Sequence, residues 1–191
     1  MKVIECSWID EKWLESLIWA PSQLYRRIKC NDRLFTLYLR WRHEDPWRFY
    51  IARGDMTGED DRAWDFVTGD LFEKYGIFRR DNEYKIAEYE AQEILYEELH
   101  SLLGLKGSTV VLVWSREVVE MASKLFDEFM EIVKGVDNVV IVDDRNHVVP
   151  SVHSIGVPKE VFVKLVQWAL GFADKRLLLD FIARGFAVEE H

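Results

Sequence analysis

"TVVLVW", residues 109–114, and "VVIV", residues 139–142, flank a segment in which Val118, Ala122, Leu125, Phe129 and Ile132 recur every three or four positions. Short aliphatic runs with no polar alternation are the pattern of strands buried on both faces, and the spacing between them is that of a helix with one apolar side. Together they predict a βαβ unit: two adjacent parallel strands joined by a helix in a right-handed crossover. "HVVPSVH", residues 147–153, is expected to return as a third strand at a sheet edge, because Pro150 cannot donate to a central ladder. Pro158 opens a helix running to about Leu170, and a second helix is expected from about Asp174 to Arg184, before Gly185.

Upstream, "RLFTLYLRW" and "WRFYIAR" read as two aromatic-rich strands, and Glu44, Asp45 and Pro46 between them suit a turn, so a β-hairpin is expected. With residues 42 and 47 facing each other, one face would gather Tyr38, Arg40, Arg42, Trp47, Phe49 and Ile51. The other would hold Leu37, Leu39, Trp41, Arg48 and Tyr50, so both faces would mix rings with arginines. Asp10 is placed to cap a short helix carrying Trp13, Leu14, Leu17 and Ile18, with Pro21 beyond its end. Trp64, Val67, Leu71, Phe72 and Tyr75 predict another helix, closed by Gly76. The longest helix is expected from Asn82 to about Leu103, with Tyr84, Ala87, Ala91, Ile94, Leu95, Leu99 and Leu102 on one side and glutamates on most of the other. "GLKGS", residues 104–108, is the best candidate linker. The fold class is mixed α/β. An N-terminal hairpin-plus-helices region, 1–104, precedes a βαβ-plus-helical-hairpin region, 108–191, as two regions or as one compact domain.

The chain has 191 residues, 49% of them apolar and 31% charged, enough to bury a core and unlike a disordered segment. No apolar run approaches the roughly 18 residues of a membrane span. Glu5, Asp10 and Glu11 interrupt the N-terminus before a signal-peptide core could form, which points to the cytoplasm. Cys6 and Cys30 lie in no metal-finger or Cys-x-x-Cys spacing and read as two buried free thiols. Three glutamines and four asparagines against 59 charged residues are a thermophile-like balance. Intracellular bridges are commoner in hyperthermophiles, which leaves a Cys6–Cys30 disulfide open.

The strand ends deliver Ser115-Arg116 and Asp143-Asp144 to the edge where open α/β sheets place ligands. No glycine follows the first strand to cradle a phosphate, Ser115 suits a helix cap, and Asp143 to Asn146 suit a turn. His147 and His153 would lie roughly 20 Å apart if the chain between them were extended, so ordinary surface histidines beside a turn are expected, with no metal. Asp70, Glu83 and Lys85 have a spacing that resembles that of the restriction-endonuclease-like nucleases. The resemblance implies two carboxylates on a divalent metal and a lysine near the attacking water. Those nucleases carry the Glu-x-Lys on a strand; here it opens a long helical pattern, where the dipole alone favours an early glutamate. No nucleophile elbow, zincin pair or P-loop occurs.

The net charge of −9 is unevenly spread, and six of the eight tryptophans fall within the first 64 residues. Residues 24–54 hold eight Lys/Arg and three Asp/Glu, net +5; residues 55–99 hold five and fourteen, net −9. Arginines interleaved with flat rings suit single-stranded nucleic acid or an acidic protein. The expected function is therefore a binding module working through Tyr38, Arg40, Arg42, Trp47 and Phe49, with no catalytic residue, cofactor or metal. One alternative is a divalent-metal phosphodiesterase using Asp70, Glu83 and Lys85 or the Asp143 cluster. The other is a structural subunit whose apolar C-terminal helices bury against another copy.

Overall fold

The computed structural model describes residues 1–11, 14–15, 23–42, 45–53, 64–68 and 83–172, and the chain divides into two compact units, Met1–Ser7 with Tyr96–His191 and Trp8–Leu95. The strands are β1 (Lys2–Trp8), β2 (Leu14–Glu15), β3 (Gln23–Cys30), β4 (Arg33–Arg42), β5 (Asp45–Arg53), β6 (Trp64–Thr68), β7 (Thr109–Trp114), β8 (Asn138–Asp143) and β9 (Ser151–Ile155). The helices are α1 (Glu83–Leu102), α2 (Arg116–Met121), α3 (Ser123–Ile132) and α4 (Lys159–Phe172). This is the mixed α/β class expected, with the hairpin at β4–β5 and the βαβ unit at β7–β8.

The first unit is built on parallel strands. β8 pairs in parallel with β7 on one side and with β1 on the other, and β9 pairs antiparallel with β7 at the sheet edge. All six residues of β7 are buried, which is why its sequence shows no alternation. Val110, Leu112 and Trp114 on one face pack with Val118 of α2, Phe129 of α3, and Leu165 and Trp168 of α4. Trp114 and Trp168 meet edge to face at 5.5 Å; their indole N–H groups donate to the carbonyls of Val148 and Leu125, each at 2.9 Å, so neither buried ring leaves its polar end unpaired. On the other face Val111, Val113, Val140 and Val142 are buried with Ile4 and Cys6.

Three expectations change here. β1 was not foreseen, although "VIECS" alternates, and the structure buries Ile4 and Cys6 while Val3, Glu5 and Ser7 are exposed. The crossover is two helices, broken at Ala122 (φ −106°, ψ 39°), and the break leaves both Val118 and Phe129 fully buried; no glycine or proline announces it. Neither cysteine is a free thiol: Cys6 and Cys30 are both disulfide-bonded. A sequence separation gives no distance between side chains, so composition alone favoured the wrong state. The "GLKGS" segment is a pinned turn: Ser108 N–H donates to Asp137 Oδ2 at 2.9 Å, and the Asn138 amide donates to the Lys106 carbonyl at 2.7 Å.

The second unit is an antiparallel meander in which β2 pairs with β3, β3 with β4, β4 with β5 and β5 with β6. Asn31 turns β3 into β4 with φ +52°, a left-handed conformation that asparagine tolerates. Two predicted helices give way to strands at the described residues. Leu14 and Glu15 pair with Tyr25 and Leu24, and Trp64–Thr68 pairs with β5. In "WDFVT" the aromatic and β-branched residues favour a strand, and pairing beside β5 outweighs the three-and-four spacing. Residues 12–13, 16–20 and 69–76 of those two segments, and the second C-terminal helix, lie outside the described residues. Asp10 caps no helix; its carboxylate accepts the Arg27 backbone N–H at 2.9 Å and pairs with the Arg27 guanidinium at 3.3 Å.

The hairpin register is Leu37↔Ile51, Tyr38↔Tyr50, Leu39↔Phe49 and Arg40↔Arg48, and only beyond an irregularity does Arg42 face Asp45. It differs by one residue from the pairing of 42 with 47, and a shift of one moves every residue of one strand to the other side. The pairing therefore redistributes the faces: Arg53 stands opposite Phe35, and Thr36 on the other face is fully buried. Ile28, Phe35 and Leu37 share one face and are buried, as is Arg26 on the same face, whose guanidinium lies 4.2 Å over the Trp8 ring and whose Nε donates to the Asp10 carbonyl at 3.0 Å.

Candidate functional site

The other face of the meander gathers what the sequence scattered. Register places Tyr25 of β3 opposite Tyr38 of β4, Tyr38 opposite Tyr50 of β5, and Tyr50 opposite Phe66 of β6, so four aromatic residues form one row across four strands. On one side of that row stand Gln23, Arg40 and Arg48; on the other stand Arg27, Thr36, Ala52 and Trp64. Lys29 follows, also on this face and exposed. Up to the irregularity at Arg40/Arg42, no Asp or Glu holds a paired position on it. Arg27 is matched by Asp10, so its charge is partly neutralised.

Of the five residues expected to act together, Tyr38 and Arg40 share this face. Phe49 stands opposite Leu39 and so belongs to the other side, and Arg42 and Trp47 flank the irregularity. Tyr25, Arg48, Tyr50 and Phe66 were not in that set. The signal for Tyr25 was present in "QLYRRIKC", where Leu24, Ile28 and Cys30 keep a period of two; Arg26 breaks the apolar pattern because it is a buried arginine.

A second cluster lies in the parallel unit, at the carboxyl end of β8. The Asp144 side chain is only 1% exposed, and its carboxylate accepts the Tyr96 hydroxyl of α1 at 2.9 Å and the Asn146 N–H at 3.0 Å. His147 Nδ1 lies 3.2 Å from Asp144 Oδ2, yet it is shut from solvent and meets no acceptor in hydrogen-bond geometry, so the contact is electrostatic. Burial alone would raise the Asp144 carboxyl; the contact and charge of His147, with the Asn146 and Tyr96 donors, outweigh it and hold the group at about 2. His153 stands on β9 with its ring 5.9 Å from Tyr96, and Ser151 Oγ lies 3.2 Å from its Nε2. Burial first, then the neighbouring His147, push His153 down to about 4.

These distances correct the extended-chain argument. His147 and His153 both flank the Tyr96 ring, at 6.1 and 5.9 Å between centroids, because the chain between them bends at Val148 and Val149 instead of running straight. They are not ordinary surface histidines: the His147 side chain is 12% exposed. The turn is real, since His147 N–H bonds the Asp144 carbonyl at 3.0 Å. Asp143 points its carboxylate elsewhere, accepting the Arg116 N–H at 2.7 Å at the start of α2, while the Ser115 hydroxyl makes no cap bond. The cluster's polar groups face one another and brace α1 against the strand ends. An Asp–His pair of this kind can hold or pass a proton, but little of it meets solvent.

Among the described residues no group of three His, Cys, Asp or Glu is arranged to hold a metal ion. Glu83 and Lys85 sit in the first turn of α1, off any strand, and Asp70 lies outside the described residues. No described helix is long and apolar enough to cross a membrane. Compared with protein-family models, curated proteins and solved structures, the chain matches none.

Proposed function

We propose that the chain is a binding module, and that the Tyr25–Tyr38–Tyr50–Phe66 face of its meander captures a polyanionic partner. The observation that carries this reading is the register of the meander, which puts Arg40, Arg48 and Lys29 on one face with the aromatic row and, up to the irregularity at Arg40/Arg42, no Asp or Glu at a paired position on it. A cationic face on a chain of net charge −9 is selective: its own acidic remainder repels an anion that is not held locally. The test is fluorescence anisotropy of a labelled dT20 oligonucleotide from low to moderate salt. Replacing both Arg40 and Arg48 by Ala is expected to weaken binding and to reduce the slope of log K against log salt by about 1.4. No binding at low salt ends the proposal.

A second reading concerns self-association. Phe162, Val163, Val166 and Leu170 leave an exposed stripe along α4, with Leu170 68% exposed, while Leu165 and Trp168 on the same helix are buried. Light scattering at high protein concentration tests it; a monomer mass ends it.

A further inference from the structure

We infer that a second copy of the chain docks edge to edge on the parallel unit: β9 pairs antiparallel with its counterpart across a two-fold axis, and the α4 stripes of the two copies pack together beside that junction. This rests on the self-association reading above and says where and how the copies meet. The arrangement of α4 leads to it. Leu165 and Trp168 pack in the core with Val110 and Leu112 of β7 and against Val152 of β9, so α4 lies over the outer end of the sheet. Trp168 turns toward α3, where its indole N–H donates to the Leu125 carbonyl at 2.9 Å and its ring meets Phe129 at 5.1 Å. Residues step about 100° around a helix, so the exposed Phe162, Val163, Val166 and Leu170 stand roughly 120 to 220° round from Trp168, on the side turned away from α3. On that side the sheet ends, because β9 pairs with β7 and with no other described strand.

Charge and area say what covers this side. Residues 151–172 hold three charged side chains, Lys159, Glu160 and Lys164, in a chain that is 31% charged. Their sum is +1 against −9 for the whole chain, so two copies can meet here without the repulsion of their acidic surfaces, and depletion of charge is the compositional mark of the centre of a protein contact. β9 carries no Lys, Asp or Glu, the side chains with which exposed edge strands guard against pairing. Four partly exposed side chains fall well short of the roughly 800 Å² a side that stable pairs bury, so the strand edge has to contribute along with the stripe. A two-fold axis through the middle of β9 engages both at once, since an antiparallel strand is its own complement and one patch then serves each partner.

The experiment is sedimentation equilibrium of the full-length chain over a wide range of concentration, with amide hydrogen exchange on the same samples. Twice the chain mass is expected at the upper end, with slow exchange at the β9 amides directed away from β7. Val166→Glu combined with Leu170→Glu changes two exposed positions, and circular dichroism checks that the fold is retained. Like charges brought together in the contact are expected to weaken association about thirtyfold or more, and the same β9 amides should then exchange fast while those of β7 stay protected. A dimer that survives the double variant unchanged overturns this interface and leaves the self-association reading intact. So does a dimer whose β9 amides exchange no differently from those of the variant, because the sheet edges are then not paired, and a mass beyond the dimer overturns the closed two-fold. A monomer mass at every concentration ends both readings and leaves the stripe to another occupant, residues 173–191 or a different protein.

Discussion

The parallel unit and the meander bury their strands differently, and that difference decides how much each discloses in sequence. In the parallel unit β7 and β8 are covered on both faces, so consecutive residues such as Val139 and Val140 are both fully buried. In the meander β3 alternates, with Ile28 fully buried and Lys29 beside it exposed, while on β4 the consecutive Phe35, Thr36 and Leu37 are all fully buried. A strand of the first kind declares its identity as an unbroken aliphatic run. A strand of the second kind leaves the sidedness to register, and register is a property of two strands at once.

The sharpest way to break this comparison is to place a charge at neighbouring positions. Val139→Lys and Val140→Lys should each cost about 4 kcal/mol or more, whereas Ile28→Lys should be as damaging but Lys29→Ile should stay within about 0.5 kcal/mol. Urea unfolding measures all four. If either Val139 or Val140 tolerates lysine, the two-sided burial of the parallel unit is wrong.

Next in size is the disulfide state of Cys6 and Cys30. Replacing both by Ser is expected to lower stability by about 2 to 4 kcal/mol. Thiol titration of the denatured wild-type chain should show no free thiol before reduction and two afterwards, since the chain has two cysteines. Free thiols in the unreduced, denatured chain would contradict the oxidised state of both cysteines.

The buried polar cluster makes the parallel unit acid-sensitive. His153 is depressed to about 4 from an ordinary 6.5, so the unfolded chain takes up its proton first. Its contribution is complete above pH 6.5 and is lost as pH falls toward 4, a loss of about 2 to 3 kcal/mol. Asp144, held at about 2 from 3.8, adds a second loss below pH 4 as it protonates. Denaturation midpoints from pH 7.5 to 4 should fall steeply in the wild type and less in His153→Leu; parallel profiles would show that His153 is not the titrating group.

The smallest effect expected is that of Tyr96→Phe, which removes one donor from Asp144 and should cost about 1 to 2 kcal/mol. The Asp144 carboxyl should rise at the same time, visible by NMR titration. An unchanged Asp144 titration would mean that His147 and Asn146 suffice.

How much was legible follows from the physics of each signal. β7, β8, the edge position of β9, α1 and α4 could be read because each pattern is local: an aliphatic run, a proline, an amphipathic period. β6 was misread because tryptophan, valine and their spacing fit a helix until β5 is beside them. The break at Ala122 had no local mark. At the candidate face, the residue types and the basic charge were visible. The set named from sequence nevertheless divided between two sides, because a one-residue error in pairing carried Phe49 to the side away from Tyr38 and Arg40.

The histidine cluster shows the same limit at shorter range: a turn at Asp144 was expected from composition, yet the burial of its carboxylate under Tyr96, 48 positions away in the chain, was not. Sequence alone determined the class of fold, the parallel βαβ unit and the hairpin, since each arises from propensity and period within a few residues. Tertiary structure alone decided the faces of the meander, the oxidation of the cysteines and the company kept by Asp144. Those depend on which distant segments meet, and no local preference encodes that choice.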